Sequence, residues 1–192
     1  ADLRGALTVF AETTTASGQC YYDTSESMFP LGRMDEHLVA FRAFSPAGTS
    51  RDDRWFVSLL RITSHPSFGP FALPILLVAH GEEWVFTTQE FDVEVLRTAR
   101  LADPPYTYAT AVAVEARQGG VTLRGTFVCE RLFHVQDIFA RLPPLFRMIA
   151  SWFLKRPVSC RSEARFSGTV TLPDGSEHAL ELRGLGEDCL TR

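Results

Sequence analysis

The chain has 192 residues, a length that suits one sizeable domain, so a single domain over residues 1–192 is predicted. Hydrophobic residues make up 45% of the chain and charged residues 22%, which excludes a chain that is disordered throughout. A net charge of −4 provides no basic field, so a nucleic-acid partner is not expected.

The first half of the chain has the pattern of β-strands separated by turns. Their β-branched and aromatic content predicts strands at residues 37–44, 54–63, 72–79 and 83–96. Residues 7–14 and 18–22 are predicted to form one or two more. Turn-forming residues separate the strands that follow residue 37.

Two β-hairpins are predicted in the second half. Residues 107–117 alternate strictly, Gly119–Gly120 forms a tight turn, and the return strand places Val121, Leu123, Phe127 and Cys129 on one face. The second hairpin runs from residue 159 to residue 184 and turns at Asp174–Gly175. About eight to ten strands in all predict a mainly β protein with an antiparallel barrel or sandwich.

Only residues 135–156 have a helical pattern, and Pro143–Pro144 interrupt it. The apolar helix predicted near residues 145–156 has one polar stripe, formed by Arg147, Ser151 and Lys155. Twelve residues rise only about 18 Å, so the helix cannot cross a bilayer core of about 30 Å. Three roles stay open: packing across one end or flank of the strands, contact with a membrane surface, and contact with a protein. The packed helix, as a cover for a cavity, is favoured.

Fifteen phenylalanines indicate either a dry core or an apolar pocket, and the dry core is favoured. Small residues on the strand faces favour a cavity, because Leu or Ile would fill the same space. They are Ala109, Ala111, Ala113, Ala164 and Gly168. A barrel of about eight strands encloses a ligand when its interior is not filled by side chains.

The four cysteines, Cys20, Cys129, Cys160 and Cys189, include no C-x-x-C pair, so no zinc or other metal site is predicted. Free buried thiols are favoured over two disulfides, for which three connectivities are possible. The sequence begins without an apolar signal segment, so a cytoplasmic location is expected, although a cleaved signal peptide is compatible with it.

No standard catalytic or nucleotide-binding motif is present, and no cofactor is predicted. One cluster suits acid–base chemistry: Glu130, His134 and Asp137, where a histidine between carboxylates has a tunable pKa. A solvated junction between a strand and a helix, with an aspartate near the start of the helix, explains the same residues and is favoured. Seven aromatic residues are candidates to line a ligand cavity: Trp55, Trp84, Tyr106, Tyr108, Phe127, Phe146 and Trp152.

Two stretches resemble the lipocalin-like (calycin) domains of the carotenoid 1,2-hydratase/AttH type. The early aromatic strand matches at Trp55 and Phe56. The glycine-rich stretch near the end of the sequence matches at Gly168, Asp174, Gly175, Gly184, Gly186 and Glu187. The resemblance implies a barrel that handles a polyene, a terpenoid or a polyketide, in families that include hydratases, cyclases and pericyclases. No acid motif of the family is recognisable in this chain, so no catalytic residue is carried over.

The sequence therefore predicts a lipocalin-like β-barrel that binds a large hydrophobic small molecule of natural-product biosynthesis. It favours a cofactor-independent cyclase or isomerase that holds the substrate in a reactive conformation. A carrier or sensor of lipophilic ligands is the first alternative. The second is an interaction domain whose apolar helix contacts a membrane surface, weakly, or a protein.

Overall fold

The computed structural model describes residues 2–9, 12–19, 35–66, 69, 71–137, 139–153 and 157–190. Its strands are β1 Asp2–Val9, β2 Glu12–Gln19, β3 Asp35–Phe44, β4 Trp55–Ser64, β5 Ala72–His80, β6 Glu83–Thr88, β7 Phe91–Leu101, β8 Tyr106–Gln118, β9 Val121–Asp137, β10 Val158–Thr171 and β11 Glu177–Leu190. Between β9 and β10 lie a 3₁₀ turn at Phe139–Arg141 and helix α1 at Pro144–Phe153.

Nine strands form one antiparallel sheet in the order β6-β5-β4-β3-β11-β10-β9-β8-β7, and β1 pairs with β2 separately. The two edge strands, β6 and β7, are consecutive in the chain and only Gln89 and Glu90 join them. A flat sheet of nine strands would separate its edges by roughly 38 Å, whereas this link spans at most about 11 Å. The sheet therefore rolls into a barrel-like shape that is not closed, because β6 and β7 do not pair.

The prediction of a mainly β, antiparallel, barrel-like fold with one short helix is confirmed for the described residues. Both hairpins have the predicted turns: Gly119 and Gly120 adopt positive φ angles of 59° and 83°, which suits a two-residue hairpin loop. Residues 83–96, predicted as one strand, bend at Gln89–Glu90 and supply both edges of the sheet. At the bend the Glu90 amide donates a hydrogen bond of 3.0 Å to Thr88 Oγ1.

The interior of the rolled sheet is filled by side chains over most of its length. Phe41, Phe127 and Phe166 are fully buried, with ring centroids 5.0 Å apart for the first pair and 4.7 Å for the second. At Gly168 an added Cβ would lie 2.8 Å from the Phe166 ring, so the ring occupies the space that the glycine leaves. The phenylalanines thus form a dry core, and the hollow predicted from small residues such as Gly168 and Ala164 is mostly taken up by their rings.

Helix α1 differs from its prediction in two ways. The helical pattern from Val135 is wrong, because β9 continues to Asp137 and pairs Val135 with Cys160 of β10. The favoured burial of the helix is also wrong. Leu145 and Phe146 are 61% and 60% exposed, and Met148 and Ile149 are exposed as well. Among the described residues, no helix is long and apolar enough to cross a membrane.

The Phe127→Ala variant tests the dry core. It removes a fully buried ring between two others, so the free energy of unfolding should fall by about 3–5 kcal/mol. Urea denaturation measures the change. The matched control is Phe133→Ala on the outer face of β9, where the ring is half exposed and the loss should be about 1 kcal/mol or less. Equal losses in the two variants would contradict the packing described here.

Candidate functional site

A cavity of about 240 Å³ lies at the end of the barrel where β3 begins and β11 ends. One wall is formed by His37 and Val39 of β3, with Arg61 and Thr63 of β4 and Asp188 of β11. The facing wall comes from β7 and β8, with Val95, Thr98, Thr107, Tyr108 and Ala109. The cavity lies beyond the Phe-filled part of the interior. Phe41, two residues from the cavity residue Val39 on β3, packs closely against Gly186 of β11, where an added Cβ would lie 2.8 Å from the Phe41 ring.

The carboxylate of Asp188 is the buried charge of this cavity, with a side chain only 6% exposed. Its Oδ2 accepts a hydrogen bond of 2.8 Å from the Ala109 amide. Its Oδ1 accepts a hydrogen bond from the Tyr106 hydroxyl and lies 2.7 Å from Nε2 of His37. A buried carboxylate is costly unless its oxygens are hydrogen-bonded, and here donors from β8 and β3 meet that need.

The Ala109 amide is available because β8 separates from β9 at this end of the sheet. The β8–β9 pairing begins at Ala111 and Val128, so the residues of β8 before Ala111 are not paired with β9. On the other side, the pairing of β8 with β7 shifts register around Arg97. Such irregularities re-aim a strand locally. Here they turn the start of β8 toward the interior, where Asp188 replaces the missing strand partner.

His37 and Asp188 together have the geometry of a hydrogen-bonded acid–base pair. With Asp188 ionised, Nε2 carries the proton and donates a hydrogen bond to Oδ1, which leaves the lone pair on Nδ1. The carboxylate orients the ring and stabilises the imidazolium that forms when Nδ1 takes a proton, as in the histidine–aspartate half of a hydrolase triad. The His37 side chain is 38% exposed, so a ligand in the cavity can reach it.

The pKa values of two groups near Asp188, Tyr106 and Cys160, are raised. Burial, followed by the charge of Asp188 and its hydrogen bond, raises the pKa of Tyr106 far above its usual range. Burial also raises the pKa of Cys160 to about 11, with a smaller contribution from Asp188. Tyr106 is therefore a neutral hydrogen-bond donor at physiological pH, and Cys160 is a thiol.

The predicted acid–base cluster is not brought together by the fold. Glu130 and His134 are exposed on β9, and Oε1 of Glu130 lies 3.5 Å from Nε of Arg165. Asp137 accepts a hydrogen bond of 2.9 Å from the Phe139 amide at the end of the strand. Glu130 and Asp137 are seven positions apart along the strand, a rise of about 23 Å. A catalytic role for these three residues stays a prediction.

The predicted ligand-binding aromatics do not all lie at the cavity. Tyr106 and Tyr108 lie at the cavity. Trp55 packs at the opposite end of the barrel, stacked on His80 with ring centroids 4.2 Å apart, and Phe127 is part of the core. Trp84 and Phe146 are exposed on the outside. The side chain of Trp152 lies outside the described residues.

Sequence reasoning missed Asp188, His37 and Arg61, although a signal for the first two was present. The inward face of β11 contains His178, Leu180 and Leu182, and the same alternation continued through residues 183–188 ends on Asp188. The predicted strand stopped at residue 184. His37 likewise shares the inward face of β3 with Phe41. A polar residue in phase with an apolar face was the available signal.

Cys129, Cys160 and Cys189 are free thiols, which agrees with the favoured alternative for these three, and Cys20 lies outside the described residues. No group of three or more His, Cys, Asp or Glu side chains in the described ranges is arranged to hold a metal ion. A larger concavity of about 410 Å³ lies outside the barrel, over β7, β8 and β9, and Asp92, Glu94 and Glu115 contribute to its lining. It is a groove open to solvent, so the smaller cavity with the buried carboxylate is the better candidate site.

The Tyr106→Phe variant tests the burial of the Tyr106 hydroxyl beside Asp188. The folded state holds the Tyr106 proton more tightly than the unfolded state, so the stability from this group is complete below the unfolded pKa of about 10 and is lost above it. At higher pH the variant should lose stability less steeply than the wild type, by about 1.4 kcal/mol per pH unit. Urea denaturation across this pH range measures the slopes. Below about pH 9 the two profiles should run parallel, and parallel profiles above about pH 10 would refute the assignment.

Comparison with known proteins adds a likeness of fold. The crystal structure of CghA and the crystal structure of CghA with Sch210972 each match at a TM-score of 0.51 and 11% sequence identity. Each match covers 82% of this chain and 41% of the CghA chain, so this chain spans about two fifths of the length of CghA. No family model and no curated protein sequence matches the chain. The β-rich fold implied by the lipocalin-like resemblance is therefore present, whereas membership of the carotenoid 1,2-hydratase type has no support.

Proposed function

We propose that this protein binds a small hydrophobic molecule with one oxygen-bearing polar group in the cavity at Asp188, and that it catalyses isomerisation or cyclisation of that molecule by proton transfer. The observation that carries the proposal is the His37–Asp188 pair, in which a buried carboxylate holds an accessible imidazole against a cavity. Such a pair supports general acid–base catalysis.

The cavity lining supports a ligand with a polar head and an apolar body. Val39, Val95 and Tyr108 offer apolar surface, while His37 and Arg61 offer polar groups. The Arg61 side chain makes no ion pair within the part of the chain that the structure describes, so its charge is available to a carbonyl or carboxylate oxygen. The match to CghA with Sch210972, a solved structure that contains a small molecule, supports the use of this fold for ligand binding.

The size of the cavity limits how the ligand is held. About 240 Å³ is below the roughly 300–1,000 Å³ of pockets that enclose drug-sized ligands. We therefore expect the polar head and the atoms next to it to enter the cavity, while a longer apolar tail extends past Val95, which is half exposed at the mouth. A large polyene or polyketide would be bound by one end.

The proposed reaction balances within one substrate molecule. Nδ1 of His37 takes a proton from the carbon next to a carbonyl, and the electron pair of the C–H bond moves toward the carbonyl oxygen, which becomes an enolate. Arg61 stabilises the enolate charge, and Asp188 stabilises the imidazolium. The imidazolium then returns the proton to a different carbon of the conjugated system, which gives an isomer. Cyclisation follows the same course when the enolate carbon attacks a second group of the substrate before the proton returns.

The His37→Gln variant tests the catalytic part of the proposal. A long-chain β,γ-unsaturated ketone is a suitable probe, because its isomerisation to the conjugated ketone is visible by ultraviolet absorbance. Removal of the base should lower kcat at least about 100-fold. The matched control is His134→Gln on the outer face of β9, which should retain wild-type kcat. The opposite result, with His134→Gln inactive and His37→Gln active, would favour the cluster of Glu130, His134 and Asp137 and refute the proposal.

Binding is tested separately from turnover. cis-Parinaric acid, a fluorescent polyene with a carboxylate head, should bind the wild type, and Arg61→Gln should weaken its affinity by about tenfold through loss of a charge-assisted hydrogen bond. The Arg165→Gln variant, on the outer face of β10, is the control and should bind normally. Binding without turnover of the ketone would favour the carrier or sensor. No binding in the wild type would refute the cavity as the ligand site.

A further inference from the structure

Helix α1 presents its apolar side to solvent. The exposed residues Leu145, Phe146 and Ile149 fall on one arc of the helix, because residues three and four positions apart share a face. The polar residue Arg147 lies on the other side and donates hydrogen bonds of 3.1 Å and 3.3 Å to the carbonyls of Ala140 and Leu142. Arg147 is itself exposed, so the side with Leu145, Phe146 and Ile149 is not packed against the core as the apolar side of an amphipathic helix usually is.

The segment around this helix has a charge opposite to that of the rest of the chain. Residues 138–157 contain Arg141, Arg147, Lys155 and Arg156 and no acidic residue. The remaining chain has 15 basic residues against 23 acidic ones, a net charge of −8. A surface that binds the helix therefore has to offer apolar groups to the exposed apolar side. It also has to be negatively charged beside the basic residues.

We infer that helix α1 docks on the surface of a bilayer that contains anionic lipids, with Leu145, Phe146 and Ile149 among the acyl chains and Arg147 on the headgroup side, while the basic sequence of residues 138–157 favours an anionic surface. Interfacial helices have this combination of an apolar side and nearby cations. The net charge of the whole chain opposes binding to an anionic surface. At physiological salt, however, charges act over only about 8 Å, so the charge next to the membrane decides the sign of the interaction.

The position of the helix fits this orientation. It connects β9 to β10 at the end of the barrel where the cavity lies, since Val158 at the start of β10 pairs with Leu190, two residues beyond Asp188. A docked helix would therefore place the cavity mouth close to the lipid. The loop between β7 and β8 at this end contains the acidic residue Asp103, which disfavours close contact of that loop with an anionic surface. The inference does not depend on the proposed chemistry.

Vesicle flotation tests the inference with the full chain. Vesicles of phosphatidylcholine mixed with phosphatidylglycerol should bind the protein, and pure phosphatidylcholine should bind it at least about fivefold less, since each basic residue near an anionic surface adds to the attraction. Raising the salt to about 1 M, where the screening length is about 3 Å, should remove most of the difference. Equal binding to both kinds of vesicle, or binding to neither, would overturn the inference.

A matched pair of variants locates the contact. The double variant Leu145→Glu, Phe146→Glu should lower the partition coefficient on the mixed vesicles by about tenfold or more, because it places charge on the inserted side. The control Leu185→Glu changes an equally exposed leucine on β11 and should bind like the wild type. Circular dichroism checks that both variants are folded. If the double variant binds vesicles normally, or if it changes the oligomeric state while the wild type binds no vesicles, a protein contact replaces the lipid surface and the inference fails.

Discussion

The two-residue link between the edge strands is the constraint on which the rest of the structure depends. Because Gln89 and Glu90 join opposite edges of a nine-stranded sheet, the sheet has to roll until β6 and β7 approach each other. Rolling gives the sheet an inside, and it brings β7 and β8 opposite β3, β4 and β11. Asp188 and the Ala109 amide meet only because of this curvature, since in a flat sheet their strands would be separated by β9 and β10.

Along the barrel axis, one part of the interior is a packed apolar core and the next part is a cavity with polar groups. Phe41, Phe127 and Phe166 fill one part as closely as an ordinary core, which provides stability and leaves no room for a ligand. Beyond Phe41 polar side chains join the apolar ones at inward positions, with Asp188 and His37 beside Val39. The site is therefore small because the core beside it is dense, and a ligand longer than the cavity has to extend through the mouth.

A buried carboxylate is an unusual choice for a core position, because hydrophobic residues of similar size are often as stabilising as buried ionic groups. Positions at which a fold departs from the simplest packing are often functional. Here the carboxylate is satisfied by neutral donors, Tyr106 and the Ala109 amide, and its remaining partner is an accessible histidine. The exposed apolar side of helix α1 is a second departure at the same end of the molecule, so both unusual features lie where the barrel is open.

The sequence by itself determined the strands, the turns and the existence of one short helix, because these depend on alternation, on glycines in tight loops and on prolines, which act between near neighbours. Tyr106 and Tyr108 were also among the aromatic residues that the sequence predicted to line a ligand cavity. Only the tertiary structure decided that Glu130 and His134 point outward, that the helix lies exposed, and that His37 and Asp188 are partners across 151 positions of the chain. The physical reason is that a pairing between distant strands is set by the register of the whole sheet and by its curvature. Neither is encoded in the spacing of residues along any single strand.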